Sequence, residues 1–447
     1  MKPDVLYARN GDVALAYQVV GSGAHDLLLV SGYVSNLEYA WDYPSLSRFL
    51  TELASSSRLI LMDRRGAGLS DRFREAPSQE VMLSDIVAVL DEVGSARATL
   101  LGIWDGALTS VLFAGTYPDR VASMVLFSAS AAQLRDDSYP WAWAQDQWDE
   151  WLASIRDGWG TRAWVVRNAR WMSPSLLEDP TELEHWISYT RLSASPSSAE
   201  AVMRDSSHTD IRQVLPVVRV PTLVLHRTDD QIEQIESGRY VARTLPNARL
   251  VELPGGDGIP WLGDAAALLR EIRRFVDDTG TEESPADDRR LATVLFTDVV
   301  DSTAVSARLG DRAWGALLER HHAVVRGLLT RYQGAEVDTA GDGFFATFDG
   351  PGRAVRCASA VVEAVRALGI EVRAGVHTGE VQTIAGKAGG IAVVIGARIG
   401  ALAGPSEVWA SQTVKDLTAG SGLTYDELGE RELKGVPERW RVYRVTA

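Results

Sequence analysis

The strongest constraint on the fold is a rhythm of short, wholly apolar runs: Leu27–Val30, Leu59–Met62, Ala98–Leu101 and Val121–Phe127. Each has the length of a strand buried on both faces. Val81–Val93 has helical periodicity, and Gly102–Tyr117 reads as a turn and a helix. Strands alternating with helices build a parallel sheet covered by helices on both sides. Val13–Val19 adds an alternating strand at the start. Arg135–Arg212 breaks the rhythm: it is helical, polar in patches, and carries eight of the fourteen tryptophans. The rhythm returns at Thr222–His226 and Ala248–Leu253, and a helix follows at Asp264–Phe275.

The polar, charged, proline-containing stretch 277–290 then reads as a linker. It separates a domain at 1–276, with a cap at about 135–212, from a second domain at 291–447. A chain of 447 residues has room for two or three domains. The formal charge of −15 argues against nucleic acid and against an anionic membrane as partners. The single cysteine, Cys357, leaves no disulfide framework and no thiolate metal site, and reads as a small buried hydrophobe. There is no membrane-spanning apolar run, and Met1-Lys2-Pro3-Asp4 has no export-signal character, so a cytoplasmic protein is expected.

In the second domain, Leu295-Phe296-Thr297 ends in Asp298, and a Gly341-Asp342-Gly343 turn precedes the apolar run Phe344–Phe348. Two strands that each deliver an aspartate can set the carboxylates side by side. Such an all-oxygen pair suits a hard divalent ion and substrate phosphates. The plainer alternative is two ordinary turn aspartates.

Residues of about 1–276 resemble the α/β-hydrolase fold with a helical cap. The resemblance rests on Leu28-Leu29-Val30-Ser31-Gly32, on Asp63-Arg64-Arg65-Gly66-Ala67-Gly68-Leu69-Ser70 and on Pro118-Asp119-Arg120-Val121. The family's nucleophile elbow, G-x-S-x-G, reads here Gly102-Ile103-Trp104-Asp105-Gly106. Trp104 therefore takes the nucleophile position, and Gly258 the position of the catalytic histidine. Asp230 fits the acid position. An acid with neither nucleophile nor base performs no acyl transfer. Moving the elbow by one residue would make Asp105 the nucleophile, as in dehalogenase-like relatives, still without a histidine. The resemblance thus implies a binding or regulatory module. Its cap tryptophans either pack the helices or line a site for a small apolar ligand, and Trp104 is expected to project into that pocket.

Residues 291–447 resemble class III adenylyl and guanylyl cyclase catalytic domains of actinobacterial type, which have a ferredoxin-like α+β fold. The matching segments are Leu295–Thr303, Gly341-Asp342-Gly343, Gly375-Val376-His377-Thr378-Gly379-Glu380, Ala397-Arg398 and Glu432-Leu433-Lys434-Gly435-Val436. The resemblance implies attack of a ribose 3′-oxygen on the α-phosphate of ATP or GTP, with two Mg²⁺ or Mn²⁺ ions held by Asp298 and Asp342. Lys434 would contact the triphosphate and Arg398 would stabilise charge at the α-phosphate. Three positions depart from the family pattern. Asp338 and Lys387 stand where a Lys and an Asp or Thr read the base. Val394 replaces the transition-state asparagine. Family active sites form between two subunits, so a homodimer is implied.

The functional expectation is a cyclase producing a 3′,5′-cyclic nucleotide, cyclic AMP by family pattern with cyclic GMP as the alternative. A hydrolase-like domain without its nucleophile and base would regulate it. A catalytically silent ligand sensor and an active esterase are the competing readings.

Overall fold

The computed structural model describes residues 2–73, 76–279, 289–384 and 387–446, the side chains of 383, 384 and 387 excepted. The chain divides into two compact units, Met1–Ala286 and Asp287–Ala447.

The first unit holds β1 (Leu6–Asn10), β2 (Val13–Val20), β3 (Asp26–Val30), β4 (Arg58–Met62), β5 (Ala98–Ile103), β6 (Val121–Phe127), β7 (Thr222–Arg227) and β8 (Ala248–Leu253). They form one sheet in the order β1-β2-β4-β3-β5-β6-β7-β8. The hairpin β1–β2 and the pair β2–β4 are antiparallel, and every later pair is parallel. β5 and β7 are buried at every position, which is why their sequences carry no alternation. The helix Asp105–Thr116, which follows β5, is buried along its whole length. β1 is the element the apolar rhythm does not announce: Leu6 and Tyr7 on this edge strand are about half exposed.

Four helices build the cap: Gln145–Gly158, Arg162–Met172, Pro180–Ser193 and Pro196–Ser207. Trp148, Trp151, Trp159, Trp164 and Trp186 are buried there and join the core of the sheet. The helix Ala265–Thr279 and the strand β9 (Arg289–Val299) take the two ends of the stretch read as a linker; 280–288 lie outside the described residues.

The second unit continues with β10 (Ala335–Ala340), β11 (Gly343–Phe348), β12 (Val372–Ile384), β13 (Lys387–Gly389), β14 (Val408–Ser411), β15 (Tyr425–Glu432) and β16 (Arg439–Val445). The sheet order is β10-β11-β9-β12-β14-β16-β15, with β13 on β12. β9 lies between β11 and β12, antiparallel to both. Its alternating side chains serve two faces. Leu295 joins the core with the helices Asp311–Arg331 and Pro351–Val365, while Val294 and Phe296 meet the helix Ile391–Leu402. That helix approaches so closely that a Cβ on Gly375 would fall 2.1 Å from the Gly400 nitrogen. Cys357 is wholly buried, and burial pushes its thiol up to about 12. His377, in the matched Gly-Val-His segment, is also buried; its Nδ1 pairs with Ser411 Oγ at 2.9 Å, and burial pushes it down to about 3. It is a neutral core side chain. Among the described residues, no helix is long and apolar enough to cross a membrane.

Candidate functional site

In the first unit, β5 ends at Ile103 and the next helix starts at Asp105, so Trp104 alone turns the chain, with φ 54° and ψ −122°. Bulky side chains rarely adopt this region, and holding one there costs about 1–3 kcal/mol. The turn is enforced by its neighbours. A Cβ on Gly102 would lie 2.6 Å from Ala107 Cα, and one on Gly106 would lie 2.1 Å from the Val30 carbonyl. Because the positive φ falls on Trp104, the elbow shifted to Asp105 is not what the chain forms. Asp105 opens the helix, is buried, and is ion-paired with Arg64.

Gly258 lies in the loop after β8, and its nitrogen donates to the Met172 carbonyl at 2.8 Å. A Cβ there would stand 3.6 Å from Trp104 Nε1. The fold therefore sets the two altered positions against each other. Arg227, wholly buried, shapes this loop by donating to the carbonyls of Asp257, Ile259 and Leu262. Asp230 follows β7. It accepts from Ser128 Oγ at 2.6 Å and from the Ile232 and Glu233 nitrogens, while burial pushes its carboxyl up.

Trp104 stands between two cavities. One, about 30 Å³, reaches Asp63, Tyr189 and Trp261. The other, about 50 Å³, lies under the cap. Its wall includes Trp143, Trp151, Trp171 and Glu233. Among the described residues the Trp104 Nε1 hydrogen finds no acceptor. Glu233, which the sequence did not single out, accepts from Ser130 Oγ at 3.1 Å. Burial, and then the Asp230 carboxylate, push it up to about 8.

That shift has a sign. A carboxyl raised above its unfolded value holds its proton more tightly when folded, so stability is full below the unfolded value, near 4.5, and falls as pH rises toward about 8. Glu233→Gln removes the penalty. The variant is expected to match the parent at pH 5 and to exceed it by about 2–4 kcal/mol at pH 8.5, read by chemical denaturation. Equal differences at both pH values would exclude the ionisation of Glu233 as the cause.

In the second unit, the register β9–β12 pairs Asp298 with Arg373. The guanidinium binds Asp298 Oδ2 through Nη2 at 2.6 Å and Nε at 3.1 Å. Asp342 sits in the two-residue turn between β10 and β11, where Gly341 has φ 64°. Asp342 Oδ2 accepts from the Val299 nitrogen at 3.2 Å, so both carboxylates stand at the same end of β9. The chain then leaves β9 through Asp301, at φ 51°, into the helix Ser302–Leu309.

Arg398 and Lys434 form a second group. Val394 and Arg398 lie one turn apart on the exposed side of Ile391–Leu402, and Arg398 Nε donates to the Lys434 carbonyl at 3.1 Å. Asp338 is exposed on β10, beside a bulge between Glu336 and Asp338. Lys387 opens β13, but its side chain lies outside the described residues. Arg373 is the site residue that sequence reasoning missed. Its only sequence signal is an arginine on the strand leading into the Gly-Val-His segment.

The two carboxylates suit a hard divalent ion. They are oxygen donors, and a cationic side chain already stands on Asp298. Among the described residues no group of three or more metal-ligating side chains gathers, so such an ion would complete its shell with water and substrate phosphates.

A family model described as alpha/beta hydrolase fold matches residues 27–264, and one described as adenylate and guanylate cyclase catalytic domain matches residues 285–447. Among curated proteins, the putative carbamate hydrolase RutD of Variovorax paradoxus is 27% identical over 279 residues, spanning 61% of this chain and 99% of its own. The Karrikin insensitive 2 receptor CA of Petunia hybrida is 22% identical over 264 residues, 58% of this chain and 94% of its own. Among solved structures, the bromoperoxidase of Bacillus anthracis superposes with a TM-score of 0.54 at 20% identity, covering 62% of this chain and all (100%) of that one, and so shares the fold.

Proposed function

Since the chain belongs to the α/β-hydrolase fold family and carries an adenylate and guanylate cyclase catalytic domain, we propose that it is a ligand-regulated nucleotide cyclase whose hydrolase-like domain no longer hydrolyses. The observation that carries the cyclase reading is the pair Asp298 and Asp342 at one end of β9, with Arg373 standing on Asp298. Two Mg²⁺ or Mn²⁺ ions held by this pair would lower the pKa of the ribose 3′-hydroxyl and offset triphosphate charge. The N-terminus of the helix starting at Ser302 offers N–H groups to phosphate oxygens. Arg398 stabilises charge at the α-phosphate, and Lys434 binds the triphosphate.

The grouping of these residues supports a homodimer. Asp298 and Asp342 stand with Arg373, and Arg398 with Lys434. Beside Arg398, the helix exposes Ile391 at 52%, Val394 at 38% and Leu402 at 42%. An exposed apolar stripe flanking a catalytic arginine fits a subunit contact that brings Arg398 to the partner's aspartates. By family position Asp338 and Lys387 would read the base. A carboxylate accepts from guanine N1–H and N2–H₂, while the family pattern favours adenine, so ATP and GTP both enter the assay.

The hydrolase-like domain is read as inactive because an indole holds the elbow, and Gly258 beside it supplies no base. Its retained cavities under the cap support binding of a small, largely apolar ligand. The similarity to a protein named as a receptor points the same way.

A silent sensor is the second reading. Val394 favours it, because valine offers no donor at the transition-state position. The test is incubation of the purified chain with ATP or GTP and Mg²⁺ or Mn²⁺, followed by detection of 3′,5′-cyclic product. Absence of product under every combination would overturn the cyclase reading.

A further inference from the structure

Resting on the reading of the first domain as a ligand sensor, the chemical class of its ligand follows from the cavity under the cap. Trp143, Trp151 and Trp171 stand nearly perpendicular to one another, at 77°, 64° and 74°, with centroids 5.3–6.2 Å apart. All three steeply inclined indoles line the cavity. Two of the cavity's indoles have their N–H groups already engaged: Trp143 Nε1 donates to the Ile232 carbonyl and Trp148 Nε1 to the Gln133 carbonyl, both at 2.9 Å. Those rings are held in place, and what they can offer a guest is a π face.

The charge in the wall is one-sided. Two acids, Asp105 and Glu233, line the cavity, and no Lys, Arg or His does among the described residues. Asp105 is neutralised by Arg64. The Glu233 carboxyl is hydrogen-bonded by Ser130 and Gln133, both uncharged, and the neighbouring Asp230 is of like sign. The site thus joins an unbalanced carboxyl to aromatic faces, and both attract a cation coated in methyl groups. Its volume of about 50 Å³ admits a head group of roughly four heavy atoms.

We propose that this cavity binds the alkylammonium head of a small organic cation, with Trp143, Trp151 and Trp171 facing its methyl groups and Glu233 as counter-ion. Glu233 would release its proton when the cation enters, because a positive neighbour favours the carboxylate.

The test uses the full chain and two probes of one shape: choline, and its uncharged carbon analogue 3,3-dimethylbutan-1-ol. Tryptophan emission is followed during titration. Choline is expected to bind at least tenfold more tightly than the alcohol. Glu233→Gln, which keeps shape and hydrogen-bonding capacity, is expected to weaken choline at least tenfold and to leave the alcohol unchanged, with a thermal melt confirming that the variant is folded. Equal binding of the two probes, or choline binding indifferent to Glu233→Gln, overturns the cation site while leaving a neutral-ligand sensor standing. No response to choline at all also overturns it. Cyclic-nucleotide output is not the readout, so failure of the cyclase reading would not be mistaken for failure of this one.

Discussion

Asp298→Ala is expected to reduce cyclic-nucleotide formation by about 10³-fold or more. The carboxylate would hold an ion whose charge stabilisation is worth several kcal/mol, and each ~1.4 kcal/mol is tenfold in rate. The substitution also strips Arg373 of its partner at 2.6 Å and leaves a guanidinium where a cation should sit. Loss of metal is checked separately by titrating Mn²⁺ against its paramagnetic signal, which should show weakened binding in the variant. A stricter test addresses the proposed division of the site between two subunits. Chains carrying Asp298→Ala and chains carrying Arg398→Ala are each expected to be inactive. Mixed together, they should regain about a quarter of parent turnover, since half of randomly paired dimers are mixed and each keeps one of its two sites. If Asp298→Ala retains full turnover, the carboxylate pair is not the metal site. If mixing restores nothing, the shared-site arrangement is wrong.

Trp104→Ala is expected to destabilise the first unit by about 3–5 kcal/mol, the usual cost of truncating a buried tryptophan. Trp104 is 9% exposed and walls off both cavities, so the truncation merges them into one larger void. Alanine does not relieve the backbone, which remains at φ 54°. Trp104→Gly tolerates that φ and should recover about 1 kcal/mol of the loss relative to alanine. Denaturation followed by tryptophan emission reports mainly on this unit, which holds most of the tryptophans. A loss under 1 kcal/mol for Trp104→Ala would mean that the indole neither fills nor divides the pocket. Glycine and alanine variants of equal stability would remove the strain argument.

Much of both sites is legible in the chain because it is written in contiguous segments. The elbow glycines Gly102 and Gly106 flank Trp104 within five residues, and the gap they leave for the turn is a local property. Asp342 sits in a Gly-Asp-Gly turn that any reader of hairpins would mark. The departures Trp104, Gly258 and Val394 are legible for the same reason. Arg373 is not. It reaches Asp298 only through the antiparallel register of two strands, 75 residues apart in sequence. Glu233 is a loop carboxylate like many others until the cap closes over it. Arg227 reads as a strand-end cation, yet it is buried with its donors spent on the loop that carries Gly258.

The sequence by itself determined most of the first domain's strands and helices, where the cap interrupts them, the two families, and which family positions have changed. Those are consequences of periodicity and turn chemistry, which act over a few residues. Only the tertiary structure decided which groups meet: Arg373 on Asp298, Arg64 on Asp105, and the Glu233 carboxyl beside the cap indoles. Such meetings depend on strand register and on packing between distant segments, and no local pattern encodes them.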